Sequence, residues 1–317
     1  MTSLTAGGIR VELSHTDKVL FPGGDEITKG DLIEYYAQVA DWMLPYLRER
    51  PIAMARYPEG ITRQRIFQKN VPGYFPDWIT RAEVKKQDGT LHHVICDKPA
   101  TLVYLANQAC IELHVFLSRL GRLDRPDQVI FDLDPPDADH FGDVRLAALR
   151  LRELLADELG LTTFVKTTGG KGLHVHVPLR AEGDFDAARG FARQVGGLLV
   201  ARNPDLVTME QRKDKRGHRL YVDVMRNGYA QTAVAPYVVR ARPGAAVAVP
   251  LDWDEVADSA LEPGQFTLWT TPRRLAELDQ ATDPWAGLTK HRYSLTKVQD
   301  RLDELARRGV RSAAAGS

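Results

Sequence analysis

Two hydrophobic periodicities alternate along the chain. After Thr28, apolar residues return at helical spacing (Leu32, Tyr35, Tyr36, Val39, Met43). Thr28 and Asp31 have the spacing of a capping box, and Pro45 is expected to end or bend the helix. The same period predicts helices over 143–159, closed by Gly160, and over 185–202, 272–279 and 294–308. Elsewhere the period drops to two. Val129, Phe131 and Leu133 alternate with polar partners, as do Leu173, Val175 and Val177, and then Leu220, Val222 and Val224; each run predicts a strand with one buried face. Asp88-Gly89 lies between two short strand-like runs and predicts a hairpin over 85–90. Helices and strands are mixed throughout without repeats, which gives an α/β (α+β) fold. No shift of composition marks a linker, so a single domain over 1–310 with a disordered tail over 311–317 is expected.

The strand pattern brings out the candidate chemistry. On the strand through Val129-Ile130-Phe131-Asp132-Leu133-Asp134, period two places Asp132 and Asp134 together on the face opposite Phe131 and Leu133. Carboxylates held that close repel, and a divalent cation with a preference for oxygen ligands relieves the repulsion. Asp137/Asp139 and Asp252/Asp254 share the spacing but fall in segments that read as loops or helix starts, so the apolar flanks distinguish the first pair. A third acid, Asp223, lies in the apolar run Leu220–Val224 and is the natural partner of the other two. Between them, Thr167-Thr168-Gly169-Gly170-Lys171-Gly172-Leu173-His174 joins two strands by a Gly-rich turn whose N–H groups, Thr168 and Lys171 can meet phosphates. It does not have P-loop spacing, and a plain hairpin with a solvated lysine is the competing explanation. His174, His176 and, further upstream, His114 alternate with apolar neighbours; taken singly, each fits a structural strand histidine equally well.

Composition narrows the function classes. The 317 residues are 44% hydrophobic, enough for a sizeable core, and no window approaches the roughly 18 apolar residues of a membrane span, so a soluble, cytoplasmic protein without a membrane partner is expected. Cys96 and Cys110 are too few for a disulfide framework or a structural zinc site and are expected to be buried thiols. With 42 basic and 42 acidic residues there is no global nucleic-acid signature, so any such surface must be local. Arg56, Arg63, Arg65 and Lys69 interleave with Tyr57 and Phe67, and a second basic run spans 212–219 around Arg216 and Gly217. Either patch fits a phosphate-contacting surface or a solvated face.

Taken together and in order, Phe-Asp-Leu-Asp-Pro, Thr-Thr-Gly-Gly-Lys-Gly-Leu-His and Tyr-Val-Asp-Val-Met-Arg-Asn resemble the three motifs of the primase-polymerase superfamily, and the chain is most similar to the polymerase domain of bacterial ligase D over nearly its whole length. The resemblance implies a catalytic core of mixed or antiparallel sheets flanked by helices. It also implies template-directed addition of nucleotides, with ribonucleotides preferred, to a primer 3′-hydroxyl at gaps and breaks in non-homologous end joining. Asp132, Asp134 and Asp223 would bind two Mn²⁺ or Mg²⁺ ions. His114, Thr168, Lys171, His174, Arg226 and Arg240 would meet the nucleoside triphosphate. Arg56, Lys69 and Arg216 would lie on the DNA side, with Lys18 and Lys29 on the 5′-phosphate across a gap and Phe67 stacked on the template. The 85–90 hairpin and the 212–219 loop would contact DNA ends.

Two departures from the family pattern stand out: Thr168 and Gly170 occupy positions where relatives carry serines, and Gln231 one where some carry lysine. The chain has no ligase or nuclease segment, which implies a free-standing enzyme that meets Ku and a separate ATP-dependent ligase at the nucleoid. A replicative primase, a metal-dependent nuclease and a silent end-binding scaffold are the rival functions. The lack of a zinc segment and the Lys18/Lys29/Phe67 set weigh against the first, the phosphate turn against the second and the acidic triad against the third.

Overall fold

The computed structural model describes residues 3–86, 89–278 and 282–315. Two small ribbons, β1 (Ser3–Ala6) with β2 (Ile9–Glu12) and β3 (Val19–Phe21) with β4 (Ile27–Thr28), lead into α1 (Lys29–Gln38) and α2 (Ala40–Leu47). Then follow β5 (Pro51–Arg56), β6 (Ile66–Gln68), β7 (Arg81–Lys86), β8 (Gly89–Ile95), α3 (Pro99–Asn107), β9 (Cys110–Phe116) and β10 (Gln128–Asp134). α4 (Phe141–Arg152) continues into a π-helical turn over Glu153–Glu158; β11 (Phe164–Thr167) and β12 (Leu173–Pro178) flank the Gly-rich turn. The remainder comprises α5 (Phe185–Arg202), β13 (Val207–Thr208), β14 (Leu220–Asp223), β15 (Thr232–Val234), β16 (Val238–Val239), β17 (Val247–Ala248), β18 (Pro250–Leu251), α6 (Trp253–Ala257), α7 (Thr270–Glu277) and α8 (Leu295–Ala315).

Two six-stranded sheets carry the architecture. One runs β13-β14-β10-β12-β11-β18; the other runs β15-β9-β5-β8-β7, with β6 paired to β5. All pairings in them are antiparallel except β13–β14. In the first sheet the apolar halves of the alternating strands are fully buried, Val129, Phe131 and Leu133 beside Leu173, Val175, Val177 and Val222, and α4 and α5 pack against these strands. The main hydrophobic cluster extends from Ala6 to Leu302, and a small second one joins Leu117, Ile130, Phe185 and Ala233. Among the described residues no helix is long and apolar enough to cross a membrane.

Local chemistry accounts for the boundaries. The Thr28/Asp31 capping box forms, with the Thr28 hydroxyl accepting from the Asp31 N–H and Asp31 accepting from the Thr28 N–H, a device worth about 1 kcal/mol. The helix bends at Val39 (φ −93°, ψ 3°) rather than near Pro45. Restarting at Ala40 leaves Pro45 in the second turn of α2, where the hydrogen bond it forfeits would have gone to exposed Asp41. Gly160, at φ +71°, lies just past the helix end expected at Leu159, and the last turns before it are π-helical. α5 has the bounds the spacing predicts. α7 begins two residues before Pro272, and α8 continues past Arg308 to Ala315. The hairpin pairs Lys85 with Thr90 and Lys86 with Gly89, while its turn residues Gln87 and Asp88 lie outside the described residues, as do Asp279 and the last two residues of the tail. Cys96 and Cys110 are buried free thiols.

Candidate active site

Three adjacent strands bring the acids together. In the ladder Asp132 of β10 faces Asp223 of β14 on one side and His174 of β12 on the other, while Asp134 faces Tyr221. Paired residues share a sheet face, so Asp132, Asp134, Asp223 and His174 project together, as the period-two pattern predicts. The strand pair is locked by Asn227, buried just beyond β14. Its Oδ1 accepts from the Ile130 N–H at 2.8 Å, and its Nδ2 donates to the Ile130 carbonyl at 2.7 Å. The Asp132/Asp223 register therefore rests on the asparagine that ends the third sequence motif, in a role the sequence alone did not reveal.

The Gly-rich turn hangs over these acids. Gly169 takes φ +63°, and a Cβ on it would lie 2.5 Å from Arg240 Cγ; at Gly172 a Cβ would lie 2.4 Å from the Leu133 carbonyl oxygen. Both positions therefore require glycine, and the second lets the turn sit directly against the acidic strand. The Thr168 hydroxyl closes the turn, donating to the Gly172 carbonyl and accepting from the Gly172 N–H. Lys171 reaches the Pro136 carbonyl at 2.7 Å and lies 3.9 Å from Asp134. Arg226 bridges the other two acids, 3.7 Å from Asp132 and 3.9 Å from Asp223. Together with His114, Arg216 and Arg240, these groups line one cleft of about 280 Å³.

The electrostatics separate the carboxylates. Burial alone would push Asp132 up; His174, then Arg226 and Lys166, more than reverse this and hold it below the usual range. Asp223 is raised, by burial first and then by repulsion from Asp132, against a hydrogen bond from the Met225 N–H. His174 is pushed down to about 4, by burial and then by Lys166, so its ring is neutral at physiological pH; its Nε2 lies 3.4 Å from Asp132 and its buried Nδ1 has no partner among the described residues. Three carboxylates on one cleft suit a hard divalent cation, although among the described residues no three His, Cys, Asp or Glu side chains form a closed ligand group. Mg²⁺ commonly takes one or two carboxylates and completes its shell with water and substrate phosphates, so the set fits such an ion and offers nothing of a zinc cage.

Comparison with known proteins shows the family. Residues 28–285 match the family described as LigD, primase-polymerase domain. The chain belongs to that family. The bifunctional non-homologous end joining protein LigD of Bacillus subtilis is 34% identical over 267 residues, which is 84% of this chain and 42% of that protein. The multifunctional non-homologous end joining DNA repair protein LigD of Mycobacterium tuberculosis is 36% identical over 260 residues, 80% of this chain and 34% of that protein. The chain thus spans less than half the length of these LigD relatives. The polymerase domain of Mycobacterium tuberculosis ligase D, solved in complex with DNA, superposes with a TM-score of 0.79 at 34% identity, covering 86% of this chain and 98% of that one. The mixed α/β fold expected from the sequence is that of the LigD polymerase domain.

Not every residue singled out from the sequence enters the cleft of this LigD family member. Arg216, assigned to the DNA side, lines it, stacked 3.8 Å above the Tyr221 ring. Phe67 stands outside at 43% exposure but packs edge-on against His114, with centroids 5.6 Å apart. Arg56 is held away from the acids by the Gln108 carbonyl, Gln68 and Tyr74, and Lys69 follows β6, partly exposed. Lys18 is paired with Glu59 at 2.7 Å, whereas Lys29 is only 5% exposed, with its Nζ 3.4 Å from the Ser14 hydroxyl.

Two charged residues directly behind the cleft lining escaped the sequence reading. Buried Glu112 contacts His114 Nε2 at 3.1 Å and accepts from Arg240 Nε at 2.9 Å and from the Ala241 N–H, so one carboxylate orients two of the expected nucleotide contacts. Burial pushes Glu112 up, but His114 and Arg240 outweigh it and hold the group far below the usual range. Lys166, wholly buried, pairs with His174 in the ladder and is lowered to about 7 by burial, then by Arg240. The available signal was the same in both cases: a charged residue alternating onto the functional face of an otherwise apolar strand.

Proposed function

We propose that this protein is a template-directed nucleotidyltransferase that extends primer 3′-hydroxyls at gaps and double-strand breaks in DNA, acting as a single catalytic unit. The observation that carries this reading is the convergence of Asp132, Asp134 and Asp223 with Lys171, Arg226 and Arg240 in one cleft under the Gly-rich turn. A hydrolase needs the acids alone; cations facing them suit a substrate that brings its own polyphosphate.

In this reading Asp132, Asp134 and Asp223 hold two Mg²⁺ or Mn²⁺ ions, which supply Lewis acidity for attack of the 3′-hydroxyl on the α-phosphate and departure of pyrophosphate. Lys171 and Arg240 bind the triphosphate oxygens, and Arg226 offsets the acids. His174, neutral and buried beside Asp132, is the nucleotide contact on the cleft wall, and His114 is held by Glu112 on the side where Phe67 meets the template. Ribonucleotide preference, capture of a 5′-phosphate by Lys18 and Lys29, and cooperation with Ku and a DNA ligase activity at the nucleoid belong to the same proposal. They are supported by the family membership and by the relatives' role in end joining.

The test is extension of a labelled primer on a gapped duplex bearing a 5′-phosphate, with Mn²⁺ or Mg²⁺ and either ribo- or deoxyribonucleotides. Templated addition that is strongest with ribonucleotides and is abolished by chelation is the expected result. Tight DNA binding without addition under any condition would overturn the proposal in favour of a scaffold.

A further inference from the structure

A second cavity lies at the far end of the strands that carry the acids. It is an open groove of about 700 Å³. β10 starts there at Gln128 and ends in the cleft at Asp134, and β12 runs from His174 in the cleft to Pro178 at the groove. Six residue steps of strand at about 3.4 Å each put the two about 20 Å apart.

The groove's cationic lining is all arginine, with Arg50, Arg119, Arg122, Arg125, Arg180 and Arg292 set against only Glu49, Asp127 and Glu182. In a chain of zero formal charge this excess is local. Arg50, 3% exposed, donates to both oxygens of Asp127 at 2.7 Å, and Arg119 Nε donates to the same carboxylate at 2.8 Å. A single carboxylate neutralises one of the two guanidiniums, and the remaining positive charge lies on the groove floor. At the rim, Arg125 and Arg180 are about half exposed, and their ion pairs to Asp124 and Glu182 are long, at 3.9 and 3.6 Å. On the wall the exposed His291 ring lies nearly parallel to Tyr293, with centroids 6.3 Å apart and planes 13° apart; Tyr293 is tied to Thr162.

Guanidinium forks match phosphate oxygens, and a flat ring braced from behind offers a stacking face for a base. An acidic peptide would use the arginines but not the ring. The volume falls in the range of small-ligand sites. We propose that the groove is a second binding site for a phosphorylated nucleoside unit, with its phosphate on Arg180 and Arg292 and its base on His291. Two sources carry this chemistry: a free nucleoside triphosphate, or a single DNA strand continuing over the surface from the cleft. The strand source rests on the polymerase reading of the cleft. Because binding is measured without catalysis, failure of that reading shows in the extension assay alone.

The experiment compares the wild-type protein with Arg180→Glu/Arg292→Glu, and with the milder Arg180→Gln/Arg292→Gln should the first not fold. Fluorescein-labelled single-stranded DNA is titrated by anisotropy over a range of KCl concentrations, and a fluorescent ATP analogue is titrated separately. If a strand occupies the groove, DNA affinity drops about five- to tenfold and the slope of log K against log salt becomes shallower by about 1.4, as two phosphate contacts are lost. If a free nucleotide occupies it, DNA binding holds and the analogue's stoichiometry falls from two per chain to one. Unchanged binding of both probes overturns the proposal, as does a loss confined to labelled polyglutamate, titrated in parallel as the acidic-peptide control.

Discussion

Asp132 and Asp223 stand directly opposite one another across the β10–β14 ladder, with Arg226 spanning both. Opposed like charges on one sheet face destabilise it unless something intervenes. Asp223→Asn is therefore expected to lower primer extension by at least about a hundredfold while raising the melting temperature in metal-free buffer by about 2 °C. A variant that is both inactive and less stable would assign Asp223 a structural role instead.

The same repulsion predicts a metal response. Wild-type protein should melt higher with excess Mn²⁺ than with excess chelator, and Asp223→Asn should lose most of that difference, since a ligand that binds only the folded state stabilises it. Equal thermal shifts in both proteins would place the ion elsewhere.

Glu112 is expected to act through the two residues it holds. Glu112→Gln keeps the shape but replaces charge-assisted hydrogen bonds to His114 and Arg240 with weaker ones, each difference being worth about 1–2 kcal/mol. The KM for the incoming nucleotide should rise about tenfold, with a much smaller change in kcat. A matching fall in kcat at unchanged KM would mean that the carboxylate serves the chemical step.

Asp127 sets a pH dependence far from the cleft. Burial raises its pKa, but Arg50 and then Arg119 outweigh burial and hold it below the normal carboxylate value. With the folded pKa depressed, the unfolded chain takes up the proton first as pH falls. The stabilisation is complete above the unfolded value of about 4 and is lost as pH drops through the folded one. Urea unfolding from pH 7 to pH 2 should show this loss in the wild type and a flatter profile in Asp127→Asn. At pH 7 that variant should also be less stable by about 3–5 kcal/mol.

Lys18 is committed to Glu59 in this structure. If it also captures a 5′-phosphate, Lys18→Ala should erase the preference for phosphorylated over unphosphorylated gaps while leaving templated addition in place, and Glu59→Gln should strengthen that preference. Equal loss on both gap types would remove Lys18 from phosphate recognition.

What could be seen in the sequence was what local periodicity controls. Alternation on Val129–Asp134 and Leu220–Asp223 singled out the three acids, and glycine punctuation marked the turn that lies over them. What could not be seen was created by pairing between distant segments. Asn227 closes on Ile130 from 97 positions away, and Glu112 meets Arg240 from 128. The bend at Val39 escaped for another reason: proline announces itself in a sequence, whereas an ordinary valine taking up bridge-region dihedrals does not. Arg216 was assigned to a loop surface because its stacking on Tyr221 depends on the return path of that loop.

The antiparallel ladder that sets β12, β10 and β14 side by side has a consequence for how activity can be lost. Each of the three acids borrows its position from a strand that is itself held by non-local neighbours, so on the proposed reading the centre has no partly assembled form that still works. Nucleotide addition by this protein should therefore serve as a gauge of complete folding, and damage to distant packing should appear as fewer working molecules, each running at full speed.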